Sequence, residues 1–214
     1  MTTNAISAEE ALQRLIDGNE RFRHGNGRLL TFTSETLAGL TKGQQPYATI
    51  LGCSDSRVPP EIVFDAGLGE LFVIRVAGNV ISPEVTGSLQ YAVSHLRTPL
   101  IVVMGHEGCG AVHAALATKL EGARHLSRIQ VLVDGLMPGL AEVGAEMDPE
   151  HRLAKAVEAN VRWTMHQILE TPEAKARQAE GWIKLVGGVY EMETGKVRLL
   201  DEDGQVVGMK KRAP

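Results

Sequence analysis

Leu12, Leu15, Ile16 and Phe22 recur at near-helical spacing, Ser7 followed by Glu10 has the form of a capping box, and Gly25 ends the run. This predicts an amphipathic N-terminal helix. Residues 24–33 hold two glycines and no clear period, which predicts a loop, and a short helix follows Ser34 and stops before Gln45-Pro46. Three compact runs of Val, Ile and Leu then appear without strict alternation, Tyr47 to Cys53, Leu71 to Val76 and Leu100 to Gly105. Strands covered on both faces read this way, so the runs predict buried parallel strands. Between the last two, Ser82 and Pro83 open a helix with Val85, Leu89, Ala92, Val93 and Leu96 on one face.

An Ala-rich helix is predicted from Gly110 to Lys119, and another within residues 122–136. Asp148-Pro149 starts a long amphipathic helix through Leu153, Val157, Val161, Thr164, Met165 and Ile168, and Thr171-Pro172 caps one more. Ile183 to Met192 and Lys196 to Leu200 flank Glu193-Thr194-Gly195, a hairpin at the sheet edge. The expected fold is a single α/β domain over 1–214. Its mostly parallel central sheet has about four parallel strands and an antiparallel edge strand, flanked by helices, with an extended N-terminal helix.

Charge and composition narrow the function. The chain has 22 basic against 26 acidic residues and a net charge of -4, which supplies no broad basic field for nucleic acid or anionic lipid. Aromatic residues are only 4%, too few for a base-stacking surface. The expected partner is a small molecule, with neither nucleic acid nor membrane. The first residues carry no basic segment followed by an apolar run, so the expected location is the cytoplasm. Cys53 and Cys109 are the two cysteines of the sequence, and a lone disulfide would be an unusual use of them in a reducing compartment, which favours metal or catalytic roles.

Cys53 closes the first predicted strand and opens Cys-Ser-Asp-Ser-Arg, and the third strand closes with Gly-His-Glu-Gly-Cys-Gly at 105–110. Taken singly, each cysteine reads as a small buried hydrophobe and His106 as a core histidine. Together, two thiolates and an imidazole at strand ends form a set suited to Zn²⁺, with a fourth position left for water. Asp55 and Arg57 add a carboxylate kept ionised by a guanidinium, able to take a proton from bound water or to become a fourth ligand. The alternative for that pair is a plain loop salt bridge.

Gly105, Gly108 and Gly110 do not match a nucleotide-binding pattern. They are expected to let the backbone pass close to a metal and to offer amide donors at a helix start. His24, His95, His113, His125, His151 and His166 have no second ligand at suitable spacing, so surface or capping roles are expected of them.

With Cys-Ser-Asp-Ser-Arg at 53–57 and His-Glu-Gly-Cys-Gly at 106–110, the chain resembles the β-class carbonic anhydrases. The likeness extends through 15–22, 72–79 and 87–93 and to the closing hairpin near Val189-Tyr190. It implies one zinc per chain on Cys53, His106 and Cys109, and a zinc-bound hydroxide that attacks carbon dioxide to give bicarbonate and a proton. Asp55 and Arg57 would be catalytic, with Asp55 a possible fourth ligand in a closed state. Gln44, Phe72, Ala77, Tyr91 and Gly110 would line the substrate pocket. The resemblance also implies a homodimer or homotetramer in which residues 1–33 pack on a partner subunit and some pocket residues serve the neighbour's site. A subgroup regulated by bicarbonate uses Trp, Arg and Tyr. This chain has Arg75 and Tyr190 but Ile50 in place of the Trp.

Two competing functions remain at this stage. One is hydrolysis of carbonyl sulfide or carbon disulfide on the same scaffold. The other is a non-catalytic zinc module or thiol sensor, against which Asp55, Arg57 and the lack of a fourth protein ligand argue.

Overall fold

A computed structural model describes residues 6–28 and 33–200 of the 214-residue chain. Residues 29–32 of the expected loop, and 1–5 and 201–214 of the expected domain, lie outside the described residues. Five strands form one sheet in the order β2-β1-β3-β4-β5. They are β1 (Ala48–Gly52), β2 (Leu71–Arg75), β3 (Leu100–His106), β4 (Lys184–Tyr190) and β5 (Val197–Leu200). The first four run parallel and β5 pairs antiparallel with β4, as expected. Every residue of β1 and β3 is buried, which explains why both strands lack the polar alternation of half-exposed sheets.

Eight α-helices surround the sheet among the described residues: α1 (Ala8–Arg23), α2 (Ser34–Leu40), α3 (Pro60–Val63), α4 (Pro83–Tyr91), α5 (Gly110–Glu121), α6 (Ser127–Leu136), α7 (Pro149–Leu169) and α8 (Pro172–Ala179). Side-chain oxygens of Ser7, Ser82, Asp148 and Thr171 each accept a backbone N–H of the first turn, closing α1, α4, α7 and α8 at their starts. The capping box at Ser7 is half formed. Ser7 Oγ accepts from Glu10 N at 3.1 Å, but the Glu10 carboxylate pairs with Arg14 one turn on.

Two features lie outside the sequence reading. Pro59-Pro60 starts α3, whose four residues are too few to show a period. After α4 the chain continues through a single π turn at Ala92–Leu96 and stops at Arg97 in the left-handed region, φ 56°.

Helix α1 buries Ala11, Leu12, Leu15, Gly18 and Asn19, and packs on α3 and β3 of its own chain. Asn19 fastens it there. Its Nδ2 donates to the carbonyls of Val63 and Gly195, and its Oδ1 accepts from Val197 N. Helix α7 lies across β3 and β4. It approaches so closely that a Cβ on Gly105 would stand 2.7 Å from Val161 Cγ2, and one on Gly187 would stand 2.9 Å from Val161 Cγ1. The glycine at 105 is therefore demanded by helix packing, a cause the sequence reading does not name.

Candidate metal centre

Parallel pairing sets β1 and β3 side by side, so the residues that follow them emerge at the same end of the sheet. Cys53 follows β1, His106 ends β3, and Cys109 is the residue before α5. All three are buried, with one sulfur or nitrogen donor from each lying within 4.8 Å of the others. His106 Nδ1 lies 2.9 Å from the Glu107 carbonyl, an acceptor, which places the proton on Nδ1 and leaves the Nε2 lone pair free. Nε2 is buried and makes no hydrogen bond. A buried nitrogen left without a partner is costly in a core, and a metal at the centre of the trio supplies one. Two sulfurs and an imidazole are a Zn²⁺ donor set with one position to spare.

Electrostatics agree. Contact with the Cys109 thiol, opposed by burial and aided by His106, pulls the Cys53 pKa down to about 4. Cys109 is pushed up by the neighbouring Cys53 sulfur and by burial, while the N–H groups of Val112 and Ala111 act in the opposite direction. For His106, burial disfavours the charged ring, yet the Cys53 contact, the Glu107 carbonyl and Asp55 together raise its pKa. The contact between Cys53 and Cys109 thus favours thiolate at one sulfur and opposes it at the other, an arrangement in which a cation bound between them would favour the deprotonated form of both.

Asp55 lies beside the trio, its Oδ2 3.8 Å from His106 Nε2. Arg57 grips it at both oxygens and adds its backbone N–H. That grip holds the Asp55 carboxyl far below the usual carboxylate range. Arg75, at the end of β2, donates to the carbonyls of Cys53 at 2.9 Å and Asp55 at 2.6 Å, so one guanidinium fixes the backbone that presents both residues. The Gly78 N–H lies on Cys53 Sγ at 3.4 Å. This donor comes from the turn after β2.

The pocket candidates separate into two groups. Ala77 opens the short 3₁₀ turn that carries Gly78, and Gly110 follows Cys109, so both stand at the metal end of the sheet. Phe72 pairs with Thr49, four residues before Cys53, about 13 Å back along the strand at ~3.3 Å per residue. Tyr91 lies with it, ring centroids 6.1 Å apart, and is 46% exposed. Exposed Gln44 precedes the first strand at the opposite end of the sheet. One chain therefore does not bring Gln44, Phe72 and Tyr91 to its own Cys53.

The other histidines hold surface and capping positions. His24 follows α1 with its N–H capping the helix, His151 pairs with Asp148, His125 bonds Thr118, His95 stacks on Tyr91, and His113 and His166 are exposed.

A family model described as carbonic anhydrase matches residues 48–197, the whole span from β1 into β5. The chain belongs to the β-carbonic anhydrase family. It is 38% identical over 205 residues to carbonic anhydrase 2 of Mycobacterium tuberculosis, covering 95% of this chain and 97% of that one. It is also 38% identical over 213 residues to the carbonic anhydrase of Mycolicibacterium smegmatis, with the same coverage. Among solved structures, the β-carbonic anhydrase CcaA superposes with a TM-score of 0.73 at 29% identity over 94% of this chain and 93% of its own. A β-carbonic anhydrase from Sordaria macrospora, described as tetrameric, superposes with a TM-score of 0.71 at 25% identity over 90% and 95%. Carbon dioxide hydration is the general reaction of the family, and the chain is an enzyme of that class.

In this β-carbonic anhydrase the three positions compared with the bicarbonate-regulated subgroup all lie near or in the sheet. Ile50 is fully buried in the middle of β1, between Val73 and Val102. The Nε and Nη2 of Arg75 go to backbone carbonyls, and Tyr190 is buried at the end of β4.

Proposed function

We propose that this chain hydrates carbon dioxide reversibly to bicarbonate and a proton, with one zinc ion held by Cys53, His106 and Cys109. The observation that carries this is the unpartnered His106 Nε2 facing two sulfurs beside an ionised Asp55. When bound, zinc supplies Lewis acidity that brings a water toward ionisation near neutral pH. The remaining work falls to the protein. Asp55, kept anionic by Arg57, accepts a hydrogen bond at Oδ2 from the water or hydroxyl before it and so fixes the direction of the attacking oxygen. The Arg57 grip on both carboxylate oxygens supports a resting arrangement with the fourth position open to solvent. Ala77 gives the near pocket an apolar wall, and the Gly110 amide, at the N-terminus of α5, faces an anionic product favourably.

Gln44, Phe72 and Tyr91 serve the site of a second copy of the chain, which makes the working particle a homodimer or a pair of dimers, with the outer face of α1 also packing on that partner. The exposure of Gln44 and Tyr91, with half-buried Phe72 beside Tyr91, all away from the chain's own trio, supports this, and light scattering that finds only single chains at assay concentration rules it out. A cytoplasmic location suits two buried free thiols. No helix among the described residues is long and apolar enough to cross a membrane.

The deciding experiment pairs metal analysis with stopped-flow hydration of carbon dioxide, carbonyl sulfide and carbon disulfide. About one zinc per chain and fast carbon dioxide hydration, abolished by a chelator and restored by zinc, is the expected result. Undiminished activity after chelation, or rapid sulfide release with negligible carbon dioxide hydration, overturns the reading.

A further inference from the structure

Asn79, Asn160 and Thr164 are each 1% exposed, three polar side chains in an otherwise apolar layer between α7 and the turn after β2. Asn160 and Thr164 stand one turn apart on α7. Asn160 Nδ2 donates to the Gly78 carbonyl at 2.9 Å and reaches Asn79 Oδ1 at 3.5 Å. Thr164 Oγ1 donates to the Asn79 carbonyl at 3.3 Å, and Asn79 Nδ2 lies 3.4 Å from the same hydroxyl. Apolar residues at 160 and 164 would complete the buried stripe of α7 but would strip the Gly78 and Asn79 carbonyls of these donors, and Asn160 is kept although its Oδ1 is buried without a hydrogen bond, so the hold on the turn, and not apolar packing, accounts for them.

What the network grips is the stretch of backbone that faces Cys53. Gly78 and Asn79 both have positive φ, 67° and 46°. A Cβ at 78 would stand 3.1 Å from Ala111 Cβ and 3.2 Å from Leu136, so the turn is closed on a residue without a side chain. The carbonyl of Gly78 is held by α7 while its N–H points the other way, onto Cys53 Sγ. Close approach of α7 at Gly105 brings Asn160 within reach.

We propose that Asn160, supported by Thr164, is a positioning residue for the metal centre. It fixes Gly78 so that its N–H donates to the Cys53 sulfur and draws charge from that thiolate. Two thiolates neutralise a divalent cation and blunt its acidity, and an amide donor on a sulfur restores part of it, as partners of metal ligands generally tune the ligands they touch. Cys109 has its own donors in the N–H groups of Val112 and Ala111, so Asn160 governs the sulfur that α5 does not.

The proposal rests on the metal reading of the trio, and Co²⁺ substitution tests the two separately. Wild-type protein loaded with Co²⁺ is expected to show a thiolate-to-cobalt charge-transfer band. In Asn160→Leu the band moves to longer wavelength, because a sulfur that loses one of its N–H partners, with only the Asp55 N–H left, gives up charge more readily, and the midpoint of the zinc enzyme's pH–rate profile rises. Thr164→Val moves the band in the same direction, Thr164→Ser retains the wild-type band, and Ile168→Ala, a core truncation on the same helix, leaves it in place. A band unmoved in both Asn160→Leu and Thr164→Val overturns the proposal, and so does an equal shift in Ile168→Ala. Wild-type protein that shows no charge-transfer band with Co²⁺ removes the metal reading itself.

Discussion

Arg57 holds Asp55 by two side-chain bonds, Nε to Oδ1 at 2.9 Å and Nη2 to Oδ2 at 2.7 Å, while the free edge of Oδ2 looks toward His106. A carboxylate so fixed has one direction left in which to accept a proton. Asp55→Asn preserves the shape and removes the charge. Hydration is expected to fall by about 10²–10⁴-fold with zinc content unchanged, and wild-type rates in a zinc-loaded variant would exclude a catalytic Asp55.

Arg75 spans the carbonyls of Cys53 and Asp55. Arg75→Met frees that backbone and is expected to cost about 10–100-fold in zinc retention or turnover. Arg75→Lys recovers little, because an ammonium is a point donor where a planar fork bridges two acceptors. Zinc loss to a chromogenic chelator, followed beside kcat, checks both, and full recovery by Lys would contradict the bridging role.

Asp65 is 8% exposed and faces Arg21 and Arg28. Burial works to raise its pKa, but the Arg21 hydrogen bond and the charges of both arginines outweigh it and leave the pKa depressed. A depressed carboxylate contributes stability above its unfolded pKa, about 3.9, and loses it as pH falls through the folded value. Asp65→Asn is therefore expected to be destabilised at pH 7, with the deficit shrinking as urea unfolding is repeated from pH 5 down to pH 3. A deficit that stays constant across that range would count against the ion pair.

Gly105→Ala places a methyl 2.7 Å from Val161 Cγ2. Overpacking of this kind costs about 1–3 kcal/mol. Combining it with Val161→Ala opens the space and is expected to return much of the loss, so the double variant should unfold at a higher temperature than the sum of the single effects predicts.

The strands, the closing hairpin and the helix starts at Ser82, Asp148 and Thr171 could be read from sequence because each has a local cause: unbroken apolar runs, turn residues, or a capping oxygen before proline. Cys53, His106 and Cys109 could be read because their chemistry is rare in this chain and each falls at a strand end. Asn160 was open to notice as a polar residue inside the apolar stripe of α7, yet nothing local says that its partner is a carbonyl at 78. The division of Gln44, Phe72 and Tyr91 from Ala77 and Gly110 depends on strand register, a long-range property that spacing along the chain does not encode.

The trio joins two neighbouring central strands across about fifty residues of intervening chain. An ion seated there acts as a removable cross-link that closes a long loop and so restricts the unfolded chain. Loading should thus slow the parting of β1 from β3 as well as equip the enzyme for turnover, and hydrogen exchange along these strands would register the ion even with no substrate present.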